Sequence, residues 1–254
     1  MRLLFIGNSI TAGNTGVSFI RIIKKQQPSW KIVNKGINGE PLYNIADRLI
    51  RLLKTDHAFD YIIIEAGVND LLLPELEKRG GLYKWAIGRE RRYDIRPLSD
   101  LNRFRSFYSV LLKEARLYTR ARMILVNIHR INEACSPHFL RLQRDYNDVI
   151  ADLAGQANYR LADVSTAFEE VLDLDSNKDY LCRNFWNTNI WDGLRCKIPG
   201  QADQLSRKRD LKLTIDGVHL NSRGARLYAQ TVLATLAETA EPSFKTEFFK
   251  QKII

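Results

Sequence analysis

Two hydrophobic rhythms alternate along the chain. Unbroken apolar runs at Arg2–Ile6, Trp30–Val33, Tyr61–Ile64 and Met123–Ile128, with a weaker one at Arg160–Val164, have the character of buried strands. Between them, apolar residues recur at helical spacing. Val17, Ile20 and Ile23 form one such stripe, ending near Pro28, and Leu42, Ile45, Leu49 and Leu52 form a second. Phe104, Tyr108, Leu111 and Ala115 form a third, and Phe139, Leu142, Tyr146, Val149 and Leu153 a fourth. A last helix is expected from about Ser222 to Ala237.

Strands that are apolar on both faces, linked by amphipathic helices, predict an α/β protein with a parallel sheet covered on both sides. The expectation is a three-layer α/β/α sandwich around a central five-stranded parallel sheet, in a single domain over residues 1–240. Right-handed crossovers bring the loops that follow each strand to one edge of such a sheet, where ligands bind. Functional residues are therefore expected just after strands.

Two stretches interrupt the rhythm. Residues 74–100 hold Gly80-Gly81, Tyr83, Trp85 and the cations Arg89, Arg91 and Arg92. Residues 173–213 hold Trp186, Trp191 and the run Arg207-Lys208-Arg209. Long segments of this kind in a compact domain are often lids, and both are expected to fold over the sheet edge as caps. Peripheral decoration is the alternative. Residues 241–254 form a charged tail carrying Phe244, Phe248 and Phe249.

Composition narrows the class. The 254 residues are 45% apolar and 27% charged, which fits a globular domain and excludes disordered, collagenous and disulfide-scaffold chains. No apolar run approaches the roughly 20 residues of a membrane-spanning helix. The opening MRLLFIG is too short for the about 7–15 apolar residues of a signal peptide, so a cytoplasmic location is expected. Cys135, Cys182 and Cys196 form no CxxC pair and the four histidines are scattered, so no structural zinc site is expected. Free thiols are the simpler reading, with a Cys182–Cys196 bridge left open. The net charge is +10, which favours anionic small molecules. Without an aromatic RNA-binding motif or zinc-finger spacing, it does not indicate nucleic acid.

Candidate chemistry follows the strands. Gly7-Asn8-Ser9 comes after the first and places a hydroxyl at a helix start, where Ser9 is either a cap or a nucleophile. Asn34-Lys35-Gly36-Ile37-Asn38-Gly39 follows the second and Gly67-Val68-Asn69-Asp70 the third. Asn69 either donates to an oxyanion or closes a turn. Asp216-Gly217-Val218-His219 precedes the last helix, with an aspartate placed to orient an imidazole. Glu65, a carboxylate in an apolar strand, either braces the Ser9 loop or is purely structural. His129, at the end of the fourth strand, is expected near the pocket as a substrate contact. His57 and His138 are expected at the surface.

The order of these four blocks resembles the SGNH/GDSL hydrolase superfamily. The first block there is usually Gly-Asp-Ser, so Asn8 is a departure. Gly39 matches the second-block glycine, with Gly36 the alternative. Gly67–Asp70 and Asp216–His219 match the last two blocks.

The resemblance implies a flavodoxin-like sheet and an ester hydrolase in which Ser9 attacks, His219 moves the proton and Asp216 orients the ring. Backbone N–H groups of Ser9 and Gly39, with the Asn69 amide, would form the oxyanion hole. Asn8, Glu65 and Asp70 would support this set from behind. A small-molecule ester is the implied partner, with no metal or organic cofactor required and with a short acyl group such as acetyl on a polar, carbohydrate-like or anionic molecule. An acyltransferase using the same residues, or a non-catalytic anion-binding domain, are the alternatives.

Overall fold

The computed structural model describes residues 1–78, 94–133, 137–156, 159–172 and 192–239. Five parallel strands form one sheet in the order β2-β1-β3-β4-β5: β1 Arg2–Gly7, β2 Lys31–Gly36, β3 Tyr61–Glu65, β4 Arg122–Val126 and β5 Tyr159–Ala162. This is the flavodoxin-like order of a three-layer α/β/α sandwich. The chain reverses its direction across the sheet between β1 and β3, so the loops after these two strands diverge and leave a crevice at the carboxyl edge.

Helices cover both faces. On one side lie α3 (Leu42–Thr55), α5 (Leu101–Tyr118) and α6 (Pro137–Ala154), packed in that order. On the other lie α2 (Phe19–Gln26), α10 (Ser222–Thr239) and α7 (Val164–Glu169), with α10 between its neighbours. The core explains the strand pattern. Ile62, Ile63 and Ile64 are at most 1% exposed, and each buried side chain of this size contributes about 1.5–3 kcal/mol. Helix starts are capped as their sequences allow: Ser18 Oγ accepts from Arg21 N and Asp100 Oδ1 from Arg103 N. Pro41 cannot cap α3, and Asp70 reaches across to do so, accepting the Leu42 N–H at 2.8 Å.

Some boundaries differ from the sequence expectation. Trp30 precedes β2, which continues instead through the polar Asn34-Lys35-Gly36, because β2 is an edge strand and only partly covered. The Gly67–Asp70 block is not a loop throughout: α4 runs from Val68 to Lys78 through Pro74, burying Leu71, Leu72, Leu73 and Leu76. Residues 74–78, placed in the first insertion, are therefore helix. The short helices α1 (Ser9–Ala12) and α7 were not expected as separate elements.

The described part of the second insertion forms α8 (Asp192–Arg195) and α9 (Gln201–Lys208). The expected cap residues Arg89, Arg91, Arg92, Tyr83, Trp85, Trp186 and Trp191, together with Cys135, Cys182 and the tail, lie outside the described residues. Cys196 carries a free thiol. Among the described residues, no helix is long and apolar enough to cross a membrane.

Candidate active site

Ser9 sits on the first turn of α1, directly beyond the carboxyl end of β1. Asn8 caps this turn, with its Oδ1 accepting the Ile10 N–H at 2.9 Å. Asn8 is fully buried and hands its remaining donors to Glu65 at the end of β3: Nδ2 to Oε1 at 2.7 Å and the backbone N–H to Oε2 at 3.2 Å. Thr11 Oγ1 donates to the same Oε2 at 3.0 Å. The Glu65 carboxylate thus ties the Ser9 turn to the neighbouring strand. Burial, outweighing these hydrogen bonds, pushes its pKa up to about 7.

Ser9 and His219 are brought together from opposite ends of the fold. The Ser9 Oγ lies 3.0 Å from His219 Nε2, and His219 Nδ1 lies 2.6 Å from Asp216 Oδ2. Asp216 is fully buried, and its Oδ1 accepts the backbone N–H groups of Val218 at 2.9 Å and His219 at 2.7 Å. A carboxylate at Nδ1 fixes the tautomer, leaving the Nε2 lone pair facing the serine hydroxyl. Burial alone would lower the His219 pKa. The charge and hydrogen bond of Asp216 more than offset it, helped by Asp192 and Glu65, and the imidazole titrates above its usual 6.5. Asp216 is held below the usual carboxylate range: burial opposes this, but the adjacent His219 and two backbone N–H groups prevail.

The loop carrying Asp216 and His219 is tied down at many points. Glu133, in a left-handed conformation (φ 48°) after β4, accepts the N–H groups of Lys212, Leu213 and Thr214 at 2.6, 2.9 and 2.6 Å and the Thr214 hydroxyl at 2.5 Å. Asn132 N donates to Gly217 O at 2.6 Å. Asn221 then starts α10 by accepting the Gly224 N–H. Arg209 grips Asp192 with both terminal nitrogens, at 2.6 and 2.8 Å, and donates to Ile215 O at 2.6 Å. The described part of the second insertion is thereby fastened to this loop, and the Arg209 side chain is only 9% exposed. One of the three cations of the run in this insertion, it is an internal strut. Arg207 and Lys208 remain exposed.

His129 corrects another expectation. It is 1% exposed and lies beneath the loop, with its Nε2–H donating to Val218 O at 2.9 Å. Burial lowers its pKa to about 4, so the ring is neutral. It is covered by protein and cannot be a substrate contact. His57 and His138 are exposed, as expected, with His138 paired to Glu75 at 2.9 Å.

The two glycines after β2 differ in kind. A Cβ on Gly36 would meet Ala12 N at 2.1 Å, so this glycine is required by the approach of α1. Gly39 has φ 79° and open space where a Cβ would project, as a backbone presented to a cleft would. Asn69, on the first turn of α4, is 8% exposed and gives one amide N–H to Glu40 O at 3.0 Å. Asp70 is fully buried and accepts the N–H groups of Leu42 and Leu98, with burial raising its pKa to about 7. It braces the ends of neighbouring segments.

The sequence reading missed Glu133, Arg209 as a strut, and Arg48, whose guanidinium bonds to the ends of β1 and β2. Side chains that collect backbone groups from distant loops leave no local pattern to find.

Comparison with known proteins agrees with this fold. Among solved structures, the chain is similar to the acetyl xylan esterase AlAXEase at 19% identity, covering 92% of this chain and 98% of that one, with a TM-score of 0.60. It is also similar to Axe2, an acetylxylan esterase from Geobacillus stearothermophilus, at 19% identity, 94% coverage of both chains and a TM-score of 0.58. At this identity the likeness speaks for the fold alone. No curated protein matches by sequence. The profile of the GDSL-like Lipase/Acylhydrolase family matches residues 5–227, most of the chain. The chain therefore belongs to the GDSL-like lipase/acylhydrolase family, whose members in the SGNH/GDSL superfamily are serine-type hydrolases of ester bonds.

Proposed function

We propose that this protein removes a short acyl group, acetyl above all, from a polar and carbohydrate-like substrate through an acyl-enzyme on Ser9. The observation that carries the reading is the continuous line Ser9 Oγ–His219 Nε2–Asp216 Oδ2, at 3.0 and 2.6 Å. His219 Nε2 takes the hydroxyl proton as Ser9 Oγ attacks the ester carbonyl, and returns it to the leaving alcohol as the tetrahedral intermediate collapses. Water then repeats the cycle: it gives its proton to His219, attacks the acyl-enzyme and releases the carboxylic acid, while Ser9 regains its proton.

Charge developing on the carbonyl oxygen is met by the Ser9 and Gly39 backbone N–H groups and by the second N–H of the Asn69 amide. The positive φ of Gly39 and the open space around it favour Gly39 over Gly36 for this role. Fixed donors of this kind are typically worth about 2.7–4 kcal/mol each in the transition state. Acetyl and carbohydrate are favoured by the activities of the two structural neighbours, both acetyl xylan esterases. The net charge of +10 further favours a substrate bearing negative charge, through faster encounter.

Labelling with a fluorophosphonate probe, read by intact mass, tests the reading. A single adduct on the wild type and none on Ser9→Ala is expected. Acetyl esters should then turn over faster than butyryl or longer ones. An unlabelled but folded wild type would overturn the reading.

A further inference from the structure

The loop between β2 and α3 carries Gly39 but has little secondary structure of its own. A guanidinium holds it in place. Arg48, on the second turn of α3, directs Nε and Nη2 at Glu40 Oε2, the former at 3.1 Å. Its Nη1 donates to Lys35 O, at the end of β2, and its Nη2 also donates to Gly7 O, two residues before Ser9, at 3.2 Å. Glu40 directly follows Gly39, and its carbonyl accepts the Asn69 amide at 3.0 Å. Ile37 N adds a bond to the same Gly7 O at 3.0 Å. One planar fork therefore touches the strand end behind the nucleophile, the strand end before the glycine loop and the side chain of the residue beside Gly39. The Arg48 and Glu40 side chains are only 17% and 12% exposed, so the pair is shielded from the solvent that weakens surface bridges.

We propose, building on the serine-hydrolase reading above, that Arg48 is a positioning residue: through Glu40 it sets the Gly39 N–H relative to Ser9 and Asn69, and so preorganises the oxyanion hole. The rigid fork of arginine suits this task, because it can serve several acceptors in one plane, whereas the lysine ammonium is a point charge on a flexible stem. Errors of about 1 Å in placing a transition-state donor cost about 10²-fold in rate, so loosening this loop affects turnover more than substrate binding.

The test compares Arg48→Met, Arg48→Lys, Glu40→Gln, Asn69→Ala and the double variant Arg48→Met/Asn69→Ala on p-nitrophenyl acetate. Arg48→Met is expected to lower kcat by about 10–100-fold and to leave KM within about threefold. Because Arg48 acts through the same hole as Asn69, the double variant is expected within about threefold of Asn69→Ala alone. Arg48→Lys should recover little, and Glu40→Gln should fall in the same direction as Arg48→Met. If Arg48→Met does not fold, Glu40→Gln alone carries the comparison with Asn69→Ala.

Wild-type kcat in folded Arg48→Met or Glu40→Gln would overturn the proposal. So would losses that multiply with Asn69→Ala, or full rescue by lysine, which would assign Arg48 a purely electrostatic part. If the wild type itself neither turns over ester nor labels at Ser9, the hydrolase reading fails instead. The positioning of Gly39 is then decided by its backbone NMR order parameter, expected to drop from about 0.85 to below about 0.6 in Arg48→Met, with no change overturning it.

Discussion

Asn8 gives both its amide side chain and its backbone N–H to the two oxygens of Glu65, at 2.7 and 3.2 Å, inside a fully buried pocket beneath Ser9. An asparagine can donate there and an ionised aspartate cannot, so the departure from Gly-Asp-Ser in this chain is matched to the glutamate below it. Asn8→Asp would press two buried carboxyl groups together, which can only share a proton.

The variant is expected to lose about 3 kcal/mol of stability at pH 8 and less at pH 5, where the pair holds its proton. Asn8→Asp/Glu65→Gln should recover most of this, since the new glutamine would donate to the new carboxylate while its oxygen keeps the backbone N–H and Thr11 bonds. Urea unfolding at the two pH values measures both effects. Equal stability of Asn8→Asp and wild type at pH 8 would contradict the account.

Asn69→Ala removes one candidate oxyanion donor along with the hydrogen bond to Glu40 O. Turnover of an acetyl ester is expected to fall about 10²–10³-fold while the circular dichroism spectrum stays that of the wild type. Undiminished kcat would take Asn69 out of the mechanism.

The pH profile should report His219. Only the neutral imidazole can accept the Ser9 proton, so kcat/KM is expected to rise with pH and level off above a midpoint higher than 6.5. Asp216→Asn removes the charge that raises this midpoint. The limb should move to lower pH while the plateau falls by about 10⁴-fold. A limb that stays in place would mean that another group controls it.

His129 makes a separate prediction about stability. Its pKa is depressed from 6.5 to about 4, so the unfolded state binds more protons between these values. The stability it contributes is present above pH 6.5 and is lost as pH falls towards 4. Between pH 7 and 5 the wild type should lose about 2 kcal/mol more than His129→Gln. Other groups, including Glu65 and Asp70 with their raised pKa values, titrate in both proteins and cancel in the difference. Parallel stability curves for the two proteins would refute a neutral, buried His129.

The central strands were legible because β1, β3 and β4 are buried on both faces and leave unbroken apolar runs. The edge strand β2 was placed too early: half of it faces solvent, so polar residues there carry no penalty and the apolar signal stops short. α4 was hidden by Pro74, a residue type that normally ends a helix and here lies within one. Ser9 and Asp216–His219 could be paired only through a family resemblance, since nothing local links residues 210 positions apart. His129 shows the opposite failure. Its place after a strand was read correctly, but which way the ring turned depended on Val218 O, a partner 89 residues away. Glu133 and Arg48 were invisible for the same reason.

The bridge between Thr214 and Leu220 closes the histidine loop on itself, and the bond from Val17 N to Leu220 O seats it against the chain's opening turns. During synthesis Ser9, the proposed nucleophile, leaves the ribosome long before His219, its proposed base, exists, and for most of translation it would be an ordinary hydroxyl. On the proposed mechanism, reactivity arises only once the Val17–Leu220 contact closes, a pairing of residues far apart in sequence and so of a kind that forms slowly. The first appearance of probe-labelled Ser9 in a refolding experiment would therefore time the completion of the whole sandwich.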